Sequence, residues 1–161
     1  MHSRIYQISK TPIDRDDYIE ESNYYDHWFL NSVADYVNED TNRNDDIEWL
    51  KDCYGNEGLS FGQDDNGEYF VIEDKSKYFE SNFEEFKKAL QELSEKTFDN
   101  FISGGEIDIS LYRLKKSYDD EFGFYVDDRN EYHGVTTFDT FMRCATEGTK
   151  YYIGATIDYH F

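Results

Sequence analysis

Hydrophobic positions along this chain recur at two periods, and the period changes with position. Arg4 to Ile8 alternates loosely, as a first strand that Pro12 closes. From Asp26 the spacing turns helical, with Phe29, Val33 and Tyr36/Val37 on one face and Trp28 and Ser32 beside them. Thr41 to Asn44 offers cap residues for a second helix, on which Ile47, Leu50 and Tyr54 share a face and Gly55 marks the end. Leu59–Phe61 and Glu68–Ile72 flank Asp64-Asp65-Asn66-Gly67, and Asn-Gly between two short runs is a strong hairpin signal. Ser81-Asn82-Phe83-Glu84 reads as a capping box. It predicts a long helix over 82–102, with Phe83, Phe86, Leu90, Leu93, Thr97 and Phe101 on one stripe and Gly104-Gly105 as its stop.

In the last third the period drops toward two. Ile107, Ile109 and Leu111 alternate with polar neighbours and predict a strand over 106–114; Phe122, Phe124 and Val126 predict another over 122–126. Thr136 to Glu147 reads as a short helix with Phe138, Phe141, Met142 and Ala145 inward. Tyr151, Ile153, Ala155, Ile157, Tyr159 and Phe161 predict one face of a long closing strand. Helices early and strands late make an α+β fold, with helices packed on one face of an antiparallel sheet. At 161 residues, with one proline and no repeat or linker, a single domain over 1–161 is expected. Its acidic helical part spans about 14–74, and a helix plus antiparallel strands spans about 75–161.

Charge changes the picture more than composition does. Between Asp14 and Asp74 stand nineteen acids against Arg15, Arg43 and Lys51, so this stretch carries sixteen of the chain's twenty net negative charges. Such an asymmetry speaks of partners rather than of fold. A chain this polar would tend to disorder, but thirteen Phe, fifteen Tyr and two Trp supply ample surface to bury. The N-terminus has no apolar run and no stretch approaches a membrane span, so a cytoplasmic protein is expected, one repelled by anionic lipid and by nucleic acid itself. Cys53 and Cys144 lack CxxC spacing and read as free thiols.

Candidate chemistry is sparse. His2, His27, His133 and His160 form no metal-ligand spacing, and no nucleophile elbow or phosphate-binding glycine loop is present, so no metal, no cofactor and no catalytic residue is assigned. Asp64, Asn66 and Glu73 could mimic a calcium loop around Gly67, but Gly62 would then hold the first ligand position; a hairpin turn is the better reading. The acids are different. Asp14, Asp16, Asp17, Glu20, Glu21, Asp35, Glu39, Asp40, Asp45, Asp46, Glu48 and Asp52 cannot be neutralised by three bases. Tyr18, Tyr24 and Tyr25 stand among them, and a carboxylate beside an aromatic ring suits arginine, which pairs with one and stacks on the other. These residues form the expected partner-binding set. Trp28 and Trp49 are expected in the core.

In charge, size and aromatic content, mainly over residues 14–74, the chain is similar to the acidic DNA-mimic inhibitors of phages and mobile elements, such as antirestriction and anti-CRISPR proteins. The resemblance implies stoichiometric inhibition, with the acidic face occupying the basic DNA channel of a defence nuclease. Sixteen net charges correspond to about 27 Å of duplex at one charge per roughly 1.7 Å. An immunity protein against a basic nuclease toxin is the alternative within the binding class, and a small carboxylate-based hydrolase is the alternative outside it.

Overall fold

A computed structural model describes residues 1–129 and 134–161. In chain order they form β1 (His2–Ser9), β2 (Tyr36–Asn38), α1 (Arg43–Tyr54), β3 (Leu59–Asp64), β4 (Gly67–Ile72), α2 (Lys75–Ser94), α3 (Phe98–Ser103), α4 (Gly105–Tyr118), β5 (Tyr125–Asp127), β6 (Val135–Thr137), α5 (Phe138–Cys144) and β7 (Lys150–His160). Two 3-10 turns, Arg15–Asp17 and Glu21–Tyr24, lie between β1 and β2. The sheet runs β3-β4-β7-β1-β5-β6, with β2 added on β7. Among the described strand pairs only β1–β5 is parallel. This is a single α+β domain with helices packed against a mostly antiparallel sheet.

The two faces of the sheet are covered differently. Tyr6, Ile8, Phe70, Val126 and Tyr151 meet Ile47 and Leu50 of α1, Tyr78 of α2 and Phe138, Phe141 and Met142 of α5. Their strand neighbours Ile5 and Tyr125, with Ile157 and Tyr159, face Ile19, Tyr24, Phe29 and Ala34 from the stretch between β1 and β2. Helices therefore cover one face, and an acidic, mostly irregular segment covers the other.

The closing strand does not keep one face throughout. Tyr6 pairs Thr156 while Ile8 pairs Ile153, so Gly154 and Ala155 together oppose Gln7. This bulge switches the parity of β7: Tyr151 and Ile153 point to the helical face, Ala155, Ile157 and Tyr159 to the other. A Cβ on Gly154 would sit 2.4 Å from Gln7 Oε1, which accounts for the glycine. Gln7 Oε1 accepts from the backbone N–H of Ala155 and of Ile19, and its Nε2 donates to the Asp17 carbonyl at 2.8 Å. One side chain thus ties the bulge to the acidic segment.

Several local expectations need correction. Residues 26–37 are not helical: Asn31 takes a left-handed conformation (φ 68°), and Tyr36–Asn38 instead extends the edge of β7. The long helix begins at Lys75, where Asp74 accepts from the N–H groups of Ser76 and Lys77, so Ser81 lies inside it. It ends at Ser94, and Thr97 caps a separate α3 through a capping box with Asn100. The expected strand over 106–114 is the helix α4. Gly104 (φ 79°) is a joint between two helices rather than a stop before a strand. Ile107, Leu111, Leu114 and Tyr118 are spaced for a helix as well, and Glu106 and Asp108 at its start with Lys115 and Lys116 at its end suit the helix dipole. The strand expected over 122–126 lies at Tyr125–Asp127, and the short helix over 136–147 at Phe138–Cys144. The acidic part is helical only in α1.

Candidate functional site

The acidic side chains come from three places: the turns between β1 and β2, the passage from β2 to α1, and the outer stripe of α1. Chain folding brings the first two together. The Glu39 Oε2 accepts the Glu21 N–H at 3.0 Å, and the Tyr25 hydroxyl donates to Glu21 Oε1 at 2.6 Å. That hydrogen bond, with Glu39 adding its charge, holds the Tyr25 phenol above its ordinary pKa. Glu20 and Asn23 close a reciprocal cap around the second turn. Asp16, Asp17, Tyr18, Glu20 and Asn23 line a groove of about 590 Å³, and Arg129 lines it as well. Arg129 donates to the Asn23 Oδ1. Asp14 and Asp26 are exposed on the same segment, and Asp35 lies 3.4 Å from His160, whose ring stacks on Tyr36.

The few bases within the stretch are largely spent. Arg43 donates to the carbonyls of Gly154 and Ile153 and to Glu68, so it closes the gap in the β7 edge between β4 and β2; its hydrogen bond holds the Glu68 carboxyl below its ordinary value. Tyr18 lies beside the Arg43 guanidinium, 5.9 Å from ring centre. Lys51 pairs with Glu48 one turn away. Among the described residues, Asp14, Asp16, Asp17, Glu20, Glu21, Asp26, Asp35, Glu39, Asp40, Asp45 and Asp52 have no Lys or Arg ion-pair partner. Lys87, Lys115 and Lys116 pair with Glu84, Glu121 and Asp120 instead, acids outside this stretch.

Two of the expected contact residues point inward instead. Asp46 is 4% exposed beneath α1, where it accepts from Arg4 Nε at 2.6 Å and from the Thr156 hydroxyl at 2.7 Å. Arg4 also pairs with Asp158. A second strand thus supplies the base that the local sequence lacks. Tyr24 is 1% exposed and donates to Asp127 at 2.8 Å; burial, then that carboxylate, push its phenol well above the ordinary value. Conversely, Trp28 and Trp49 are not core residues. They stand 53% and 40% exposed, Trp28 beside Asp26 in sequence and Trp49 under the Arg4 guanidinium. The acids also do not form two helical rows. Only Asp45, Glu48 and Asp52 share a helix stripe; the rest wrap the sheet edge from the opposite face.

No protein-family model, curated protein or solved structure matches this chain.

A second concavity, about 620 Å³, opens between α2, α4 and the start of α5, lined by Tyr54, Tyr78, Asn82, Lys88, Arg113, Asp120 and Asp139 among others. Asp139 is buried at its floor. It accepts from the Tyr78 hydroxyl at 2.9 Å and the Asp120 N–H at 3.1 Å, while Asp120 accepts from the Phe122 N–H and lies 3.7 Å from Lys116. Both carboxylates are committed to holding three elements together. Among the described residues no three His, Cys, Asp or Glu side chains converge as metal ligands, and no helix is long and apolar enough to cross a membrane. Asp64, at the end of β3, pairs with Lys150 of β7.

Burial raises the Asp139 carboxyl above its ordinary 3.8. Over the window from that value up to the raised one, the folded state keeps a proton the unfolded state has lost, so stability falls as pH rises. Asp139→Asn removes this contribution. In urea titrations from pH 3 to 7, the variant's stability relative to the native chain is expected to improve with rising pH; a constant difference would count against it.

Proposed function

We propose that this chain is a non-enzymatic inhibitor whose acidic face imitates DNA and occupies the nucleic-acid channel of a basic nuclease of host defence, restriction or CRISPR. One observation carries the reading: eleven carboxylates between Asp14 and Asp52 have no Lys or Arg partner among the described residues, although the chain pairs its bases with acids elsewhere. At one charge per roughly 1.7 Å of duplex, the nine of them that precede α1 match about 15 Å, some four to five base pairs. Tyr25, Trp28 and Tyr36 stand open among them and offer faces on which arginines can stack. The acid-lined groove at Asp16, Asp17 and Glu20 is concave enough to receive a cationic side chain.

The test is displacement of a labelled target duplex from purified restriction endonucleases and guide-loaded CRISPR nucleases. The chain is expected to release duplex from one of them, with a midpoint that rises as the Debye length falls from about 10 Å at 0.1 M salt. Reversing Asp16, Asp17 and Asp40 to Lys should raise that midpoint at least about ten-fold. These three make no side-chain hydrogen bond among the described residues, so the fold should tolerate the change. Glu80, Asp99 and Asp108, reversed together, are the control. If both triples act equally, the acidity is a solvated face and not a mimic.

A further inference from the structure

The helices α2, α3 and α4 form an arm that meets the sheet only at its root. Beyond Tyr78, the described side chains of α2 and α4 bury only Ala89 and Ser110, one against each helix's partner. One flank of this helical hairpin is polar, where Glu92 meets Arg113 and Lys88 and Lys116 line the cleft described above. The other flank is largely apolar, with Lys87 over the Phe83 ring and Arg143 over the rings of Phe79 and Tyr118 at its root. Phe83, Leu90, Leu111 and Tyr118 stand 57%, 48%, 47% and 58% exposed. A hollow of about 270 Å³ between Phe79, Phe83, Phe86 and Tyr118, which Arg143 also lines, lies on it. At the outer end Phe98, Phe101 and Ile102 of α3 are more exposed still. Two antiparallel helices with a largely exposed apolar flank resemble half of a four-helix bundle.

Charge decides what can cover that flank. Residues 75–118 hold eight Lys and Arg and eight Asp and Glu, so the arm is neutral in a chain of net charge −20. A basic partner gains nothing there. A second copy of the chain, repelled everywhere else, meets no net charge on the arm. We propose that two copies pair through the apolar flanks of their arms, antiparallel about a two-fold axis. A twenty-residue helix spans about 30 Å, so this arrangement keeps the two acidic bodies several Debye lengths apart at about 0.15 M salt. Half-open aromatic side chains present on the order of 100 Å² each. With Leu90, Leu111 and the α3 tip, the flank approaches the roughly 800 Å² per partner of a stable interface.

Sedimentation equilibrium of the whole chain from 1 to 200 µM should give a species of twice 19.2 kDa, equally or more prevalent at 0.5 M than at 0.1 M NaCl. That is the opposite salt response to the proposed nuclease contact, so the two readings fail separately. Leu90→Glu with Leu111→Glu should raise the dissociation constant at least about 100-fold. Amide exchange of the unaltered chain, compared at 2 and 200 µM, should slow in α2, α3 and α4 and nowhere else, which guards against a variant that merely misfolds. A chain that stays at 19.2 kDa throughout overturns the proposal. So does exchange independent of concentration, pairing that survives the double substitution, or a monomer that floats with phosphatidylcholine vesicles through this flank.

Discussion

Asp46→Ala is expected to lower unfolding stability by about 3 kcal/mol or more, while Asp40→Ala, a few residues earlier in the same acidic run, changes it by less than about 0.5 kcal/mol. The difference follows from where each carboxylate sits. Asp40 is exposed on the passage to α1; Asp46 is buried between Arg4 and Thr156. Removing it leaves a guanidinium whose side chain is only 21% exposed with Asp158 as its remaining acid, and a Thr156 hydroxyl without its acceptor. Breaking a buried pair from one side costs far more than the pair contributes, because the surviving charge stays desolvated. Asp46→Asn, which can still accept from Thr156, should fall between. Urea midpoints at constant slope measure all three. Equal midpoints for Asp46→Ala and Asp40→Ala would place Asp46 on the surface after all.

Phe29→Ala should cost about 3–5 kcal/mol, against less than about 1 kcal/mol for Trp28→Ala, although tryptophan is the larger residue. Phe29 is fully buried, edge-on to Tyr125 at 4.8 Å and to Tyr159 at 5.1 Å between ring centres; Trp28 is half open. Phe29 pins the segment that carries most of the unpaired acids onto the sheet. Its loss should therefore quicken amide exchange over residues 18–37 before the rest of the chain, and should weaken duplex displacement with no charge altered. Exchange that quickens uniformly, or a Trp28 effect as large as that of Phe29, would refute this anchoring.

Some features of this protein were legible in local sequence because a few neighbouring residues decide them. The hairpin that Asn66-Gly67 signals forms, with Asp65 and Asn66 in the turn and Gly67 (φ 123°) opening the return strand in a conformation that favours glycine. The helix over Ile47, Leu50 and Tyr54 follows from periodic burial, and the long closing strand forms where expected although the bulge at Gly154-Ala155 divides its apolar residues between two faces. The charge asymmetry is a covalent fact. Periodicity misled where two periods coincide. Ile107, Ile109 and Leu111 alternate as in a strand, while Ile107, Leu111, Leu114 and Tyr118 step as in a helix, and packing on α2 selected the helix. In the same way Phe29, Val33 and Val37 step like a helix, but an open edge on β7 recruited Tyr36–Asn38 as a strand.

Which acids face solvent was decided only in three dimensions. Arg4 comes from another strand to bury Asp46, Arg43 turns inward to close an edge, and Gln7 and the β7 bulge fasten Asp17 and Ile19 to the sheet. The sequence by itself determined how many charges the protein must carry and roughly where along the chain they lie. Only the tertiary structure determined which of them are neutralised, because a buried charge takes its partner from wherever the fold brings an opposite one, whatever their separation along the chain.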